Sequence, residues 1–480
     1  MQNRRDLYQA HRLMMQRVGL ALLHGEPDVA ESPMRRLSVG VLIGVVVAVL
    51  VAGVFGIIGL LKPGGAKGLD KGDVVIIEKE TGTKYVYDTN SRKLLPVANY
   101  ASALLAVNKK GTKSRSVSRN SLKDFERGPM IGISGAPDSL PDAKQLIRGP
   151  WSVCVREADG GNGVRRSMTA LAAGKKIGGR TLPAGEALVV QAANESWVLW
   201  KDRRMSLKLP AAQISALTGG AAPVQVAPAW LNSIPATGDF APPQVPGQRG
   251  KAVGGPGNQP GRIGQVFKAD TGGGTNWYVL LEDGLSQISQ TQARLLLSDP
   301  VTKTAYPGRL AEALPTDLPS ATALQSRTRL FSDALPAAMP KFTAWTPTEP
   351  LCAVYSGGAS ATAQLTVGGT LPAPSQTALG VGTSGGGAAV DQLVLPPGGA
   401  SLVRLTQSGG QANTAGAAGS LSIINDQGIR YAIPSAEIAA NLGYDASKAA
   451  PVPASVLHLI PAGPALDPKA ATMPVQRASS

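Results

Sequence analysis

Between Arg36 and Lys62 the chain runs for 25 residues without a charge, and Leu, Ile, Val, Ala and Gly dominate the run. At about 1.5 Å per residue a helix of that length reaches roughly 37 Å, enough to cross a hydrocarbon layer of about 30 Å with some tilt. A buried core helix rarely stays apolar on every face for so long. A cleaved signal peptide would carry a shorter apolar run with a small-residue cleavage site behind it. The pattern predicts an uncleaved transmembrane helix over 37–61. Within it Gly40, Gly44, Ala48, Ala52 and Gly56 recur every fourth residue, a small-residue stripe that lets another helix approach closely.

The segment before it, 1–36, has its own periodicity. Leu7, Ala10, Met14, Val18 and Ala21 are spaced by three or four, while Arg4, Arg5, Arg12 and Arg17 lie mostly on the other side. This predicts an amphipathic basic helix ending near Gly25 and Pro27, suited to the inner membrane surface or to a partner helix. Leu7, Met14 and Val18 are its expected docking positions.

Beyond the apolar helix the pattern repeats. The stretches 73–105, 187–217, 264–297 and 420–442 each read as a short strand, a turn, an aromatic-containing strand and an apolar segment leading into a helix. Such a unit cannot bury its apolar face alone, so the four must pack on one another or on a core. A second echo follows two of them: PAWLNSIPATGDFAPP at 228–243 and PASVLHLIPAGPALDP at 453–468. The expected divisions are repeat 1 over 62–127, repeat 2 over 181–240, repeat 3 over 263–300 and repeat 4 over 401–466. A central domain is expected in two parts, 128–180 and 301–400. The Pro- and Gly-rich 241–262 reads as an exposed linker, 356–420 as short strands with mobile Gly loops, and 467–480 as a flexible tail.

Composition changes the picture in two respects. Only 16% of residues are charged and 4% aromatic, while Gly and Pro number 57 and 37, which favours many short strands and turns over a helical bundle. The net charge of +15 is not interleaved with aromatic stacking residues, so anionic lipids or cell-wall polymers fit it better than nucleic acid. The two cysteines, Cys154 in WSVCV and Cys352 in LCAVY, suit one structural disulfide in an oxidising compartment; two buried free thiols are the alternative. Local charge barely orients the helix, because Arg17, Arg35 and Arg36 before it are balanced by Lys62, Lys67, Lys71 and Lys79 after it. The cysteines, and the ease with which long domains translocate, favour an N-terminus inside and the bulk of the chain outside.

Several motifs together resemble the EccB family of type VII (ESX) secretion systems of actinobacteria. They are SRNSLKDFERGPMIGISGAPDSLP at 118–141, WSVCV at 151–155, WLNSIPATGDFAPPQVPGQRG at 230–250 and VPASVLHLIPAGPALDP near the end. The resemblance covers essentially the whole chain and is loose only over 356–420. It implies a single-pass protein of the cytoplasmic membrane with an elongated α+β extracytoplasmic region, four repeats around a central β-rich domain. It also implies that the Cys pair falls on Cys154 and Cys352, and that the partners are EccC, EccD, EccE, a mycosin protease and further copies of the chain.

The family carries an association with ATP hydrolysis, which the residues can test. A Walker A loop needs GxxxxGK followed by Ser or Thr; the Gly-Lys pairs here, Gly174-Lys175 and Gly250-Lys251, are followed by Lys and Ala. Only His458 lies beyond the apolar helix, so a Ser-His-Asp arrangement would hang on one residue. No His, Cys or carboxylate cluster has metal-ligand spacing. Asp138 in GAPDSLP reads as a turn cap, and Thr271–Thr275 as a hairpin loop. The expected role is a scaffold of a protein-export complex without catalytic residue, cofactor or metal; an extracytoplasmic ATPase and a cell-wall-binding module are the alternatives.

Overall fold

The computed structural model describes residues 3–24, 33–61, 68–159, 163–175, 177–356, 362–372, 390–406 and 420–475. Two units result. One, of residues 1–69 and 117–125, carries helices α1 (Arg4–His24) and α2 (Pro33–Leu61). The other, of residues 70–116 and 126–480, holds the sheets.

Four small sheets share one strand order: third, second, first, fourth. Their first three strands are Val74–Glu78, Lys84–Asp88 and Lys93–Val97; Glu186–Ala192, Glu195–Trp200 and Arg203–Ser206; Val266–Thr271, Gly274–Leu281 and Gly284–Ile288; and Ala400–Thr406, Leu421–Asn425 and Arg430–Ile433. A helix follows each, at Tyr100–Val107, Ala211–Thr218, Gln290–Ser298 and Ala436–Asn441. A fourth strand then returns beside the first, at Lys113–Val117, Val224–Gln225, Leu314–Pro315 and Ala450–Pro453. In the second, third and fourth sheets this last pairing is parallel. Parallel neighbours need a crossover, and the helix is that crossover. Asn99, Ser289 and Ser435 start three of these helices by accepting a hydrogen bond from the N–H three residues on.

All four sheets close in the same way. The backbone N–H of a third-strand residue donates to a carbonyl far down the chain: Leu94 to Glu126 (2.7 Å), Arg204 to Pro235 (2.9 Å), Leu285 to Leu324 (2.6 Å) and Arg430 to Pro461 (2.8 Å). In each case the next residue, Arg127, Ala236, Gln325 or Ala462, pairs in parallel with that third strand.

The central sheet has six strands, in the order Gln392–Val394, Arg165–Ala173, Trp151–Asp159, Leu351–Tyr355, Ala363–Val367, Arg180–Thr181. One face shares an apolar core with the second and fourth small sheets through Trp151, Val153, Leu351, Leu199, Val403 and Val456. The first and fourth sheets share another core, joining Leu105 and Val75 to Ile423 and Leu402. The second and third meet where Leu295 packs with Val198, Trp200 and Ile214.

Four expectations need correction. The strand pattern read over 420–442 starts with the second strand of the fourth sheet; the first, Ala400–Thr406, falls at the start of the expected 401–466 and is separated from the second by 407–419, outside the described residues. The stretch 241–262 is built into the fold: Ala252–Gly254 and Pro260–Arg262 form a two-stranded ribbon, Arg249 pairs with Asp299, and Gly261 lies so close to Leu280 that a Cβ would approach it to 2.5 Å. Much of 301–350 serves the small sheets, with Leu314–Pro315 joining the third and Lys341–Phe342 joining the second, and only its end lies on the central sheet, where Trp345 enters the core and Pro347 O accepts from Glu157 N–H. The end of the chain is ordered through 475: Asp467 caps the helix Pro468–Ala471, Ala471 is buried, and Val475 N–H donates to Met130 O at 2.9 Å. For 241–262 the Gly- and Pro-rich sequence reads as loose, yet small side chains and fixed φ angles also suit backbone laid flat against a neighbouring sheet. Most of 356–420, including the expected Gly loops, and 476–480 lie outside the described residues.

Candidate functional site: the N-terminal helices and the bridged central sheet

Helix α1 exposes Leu7, Met14 and Val18, together with Tyr8 and Leu22. Its Asp6 sits in the first turn, where a carboxylate suits the helix dipole. In α2 the 21 residues Leu37–Ile57 are long and apolar enough to cross a membrane, and none is buried by the rest of the chain. Gly40, Gly44 and Gly56 have nothing within 4 Å of where a Cβ would stand, so their line along the helix is open to a neighbour. An apolar helix left bare on every face cannot be stable in water, since burial of such surface is worth about 25 cal/mol per Å².

The central sheet is where the body is locked. Cys154 and Cys352 stand directly opposite each other on antiparallel neighbours, Cα atoms 4.0 Å apart, and are disulfide-bonded. Both are fully buried, under Ala170, Ala172, Ile177 and Leu371. The alternation of the strands turns the cysteines to this face and Trp151, Val153, Leu351 and Ala353 to the other. On that other face one carbonyl gathers three elements. Ser233 O, at the end of the helix Pro228–Ser233, accepts from Tyr355 Oη of the central sheet and from Ser455 Oγ (3.1 Å) of the helix Ala454–Leu457. Trp230 Nε1 donates to Val153 O at 3.0 Å, pinning the same helix to the sheet. Burial holds the Tyr355 hydroxyl well above the ordinary tyrosine range, partly offset by its bond to Ser233.

The other residues of chemical interest have structural partners. Gly174 N–H donates to Pro150 O, Gly250 N–H to Ile263 O and Lys251 N–H to Gln248 O, so these amides are not aimed at a phosphate. Lys251 Nζ meets Glu282 at 2.6 Å. Asp138 accepts from the N–H of Tyr100, the first residue of a helix 38 positions away, and pairs with Lys84 at 2.9 Å, so it serves a distant helix start rather than its own turn. Thr271–Thr275 is a tight hairpin, with Thr271 paired to Gly274. His458 is exposed at the end of a short helix. Among the described residues no group of three or more His, Cys, Asp or Glu could hold a metal. Sequence reasoning missed the Ser233 junction, whose members Ser233, Tyr355 and Ser455 are separated by up to 222 positions. Its one visible signal was the echo containing Trp230.

Comparison with known proteins gives the family. The ESX-3 secretion system ATPase EccB3 of Mycobacterium tuberculosis is 28% identical over 95% of this chain and 86% of its own length. The ESX-1 secretion system ATPase EccB1 of Mycolicibacterium smegmatis is 27% identical over 96% and 92%. Among solved structures, an EccB3 dimer from the ESX-3 core complex superposes with a TM-score of 0.64 at 25% identity, covering 83% of this chain and all of that one. An intact ESX-5 inner membrane complex contains a chain matching at TM-score 0.63 and 21% identity, over 100% of this chain. The family model for type VII secretion system ESX-1, transport TM domain B, matches residues 2–478, and the chain belongs to that EccB family.

Proposed function

We propose that this protein is a non-enzymatic scaffold of a type VII secretion membrane complex, crossing the membrane once through α2 with its N-terminus in the cytoplasm. The observation that carries the proposal is the bare apolar helix Leu37–Ile57 ahead of a disulfide-locked body, in a chain matched end to end by the EccB family. The buried Cys154–Cys352 bond supports an extracytoplasmic body, because such bonds form and persist in oxidising compartments. The four small sheets are read as four copies of one module, modules 1 to 4 in chain order, on the strength of their common order and common closing hydrogen bond. Leu7, Met14 and Val18 of α1 then dock on a partner inside, and Gly40, Gly44, Ala48, Ala52 and Gly56 pack against a partner helix within the membrane. The solved relatives are a dimer, an inner membrane complex and a periplasmic assembly, which supports homo-oligomerisation within a membrane complex; EccC, EccD, EccE and a mycosin are the neighbours that family resemblance offers.

Purification of the full chain in mild detergent, followed by mass spectrometry, tests this. Co-purification of type VII membrane components is expected; recovery of the chain alone overturns the scaffold. A second reading follows from the relatives' names, which contain ATPase. Turnover by the purified full chain that tracks point mutations would favour it, whereas loss of turnover on further purification would dismiss it.

A further inference from the structure

The crossover helix of each module is joined to the fourth strand by a loop at the same place in the fold, so the four loops form an internal comparison. In module 2 it is 219–223, GGAAP, without charge; in module 4 it is 442–449, with Asp445 and Lys448 cancelling. In module 3 the longer 299–313 balances Asp299 and Glu312 against Lys303 and Arg309. Module 1 alone is unbalanced: its loop 108–112, NKKGT, carries Lys109 and Lys110, and Lys113 opens the strand that follows. All three lysines are exposed. Asp445 of module 4 lies near enough to Lys110 to feel its charge, although Ser447 and then Lys448 do more to hold that carboxylate below its usual range.

Module 1 is also the module tethered to the apolar helix. Leu61 ends α2 and Val74 begins the first strand, leaving a connection that spans at most about 40 Å when fully extended. The first strand starts beside the end of the second, where Gly72 faces the carbonyl of Tyr87 and the side chain of Thr89. Exposed Lys71 and Arg92 flank that point, with Asp70, Asp73 and Asp88 as the local acids; Asp88 accepts from the N–H groups of Asn90 and Ser91. Of the four corresponding loops only that of the tethered module is net cationic, which is where an anionic surface close to the tether would act.

We propose that Lys109, Lys110 and Lys113 bind the anionic lipid headgroups of the leaflet facing module 1, fixing the body against the bilayer. The inference rests on α2 lying in the membrane. Attraction of this kind falls off within about 8 Å at physiological salt, so it acts only when the loop touches the surface.

The test places the full chain in lipid nanodiscs of phosphatidylcholine, with or without one third phosphatidylglycerol, and follows modification of individual lysines by a water-soluble amine reagent. Lys109, Lys110 and Lys113 are expected to react roughly fivefold more slowly in the anionic discs, with the difference lost at high salt and Lys303 of module 3 unchanged. Amide exchange over 108–112 should slow in anionic discs for the natural chain and not for a Lys109→Gln, Lys110→Gln, Lys113→Gln variant. Equal lysine reactivity in both disc types, in a chain that enters them, overturns the headgroup contact alone. A chain that does not enter discs overturns the membrane reading and the contact with it.

Discussion

Replacing both Cys154 and Cys352 by Ala removes a cross-link between residues 198 positions apart. Releasing a loop of that length restores about 5 kcal/mol of chain entropy to the opened state, as an upper figure. The native ladder limits the damage: five residue pairs join Trp151–Val155 to Leu351–Tyr355 whether or not the bond exists. The fold therefore survives, and the loss appears as easier opening of the central sheet, by about 3 to 5 kcal/mol. A chain with several cores has no single unfolding free energy, so the readout is amide exchange of individual segments. Peptides covering Trp151–Asp159 and Leu351–Tyr355 should exchange two to nearly four orders of magnitude faster, while peptides from Val266–Leu281 of the third sheet stay unchanged. Because both sulfurs are fully buried, mild reductant should leave the bond of the native chain intact. Exchange within threefold of the natural chain, or an equal rise in the third sheet, would refute the reading of this bond as a local clamp.

Asp299→Asn leaves Arg249, whose side chain is only 14% exposed, without its carboxylate; about 3 kcal/mol of local stability should be lost, seen as faster proteolysis within 241–262. Gly284→Ala sets a Cβ against Leu324 O at a φ of +133°, and should cost about 3 kcal/mol by breaking the closing bond of the third sheet, read as faster exchange of Leu285. Tyr355 and Tyr444 both titrate above their ordinary value because burial disfavours the phenolate. Their stability contributions are complete below the unfolded value of about 10 and fall as pH rises towards the folded value. Tyr355→Phe should weaken the Ser233 junction by about 1 kcal/mol at neutral pH while flattening the alkaline decline, measured by thermal unfolding from pH 8 to 11.

What could be read from the sequence follows the range of the forces involved. The strands around Cys154 and Cys352 are short apolar runs, and three of the four crossover helices carry their own side-chain caps, so local chemistry announces both. Helix α2 is legible because a bilayer is a uniform solvent that demands one uniform composition. The strap 241–262 is not legible, since what holds it is Arg249 meeting Asp299, 50 positions away, and Gly261 fitting beneath Leu280. The fourth sheet is misread by one strand, because period-2 patterning cannot count a strand across the interruption at 407–419. Beyond the echo that contains it, Ser233 gives no sign of its role: its contribution is a backbone carbonyl, which every residue has.

The echo between 228–243 and 453–468 carries more than repetition. All four sheets close onto the third strand, yet only the second and fourth do so through an apolar sequence ending in Ile-Pro-Ala: Leu231 to Ala236, and Leu457 to Ala462. Trp230, Leu231 and Ile234 of one copy, with Val456, Leu457 and Ile460 of the other, lie in the core under the central sheet. The corresponding helix of the third sheet, Leu318–Ala323, instead buries Ala321 against its own Phe267, Leu280 and Leu285. The closing hydrogen bond is thus common to the four sheets, whereas the helix before it turns an apolar face to the central core only in the second and fourth. Proline makes the division workable. It holds the chain extended after the helix, where its carbonyl accepts from Arg204 or Arg430. Exchanging the bulky positions of the two types, with Leu231→Ala and Ile234→Ala in the second sheet, should free that sheet from the central core without undoing its own closure, and the bridged strands would then lose their shared face before the small sheet lost its order.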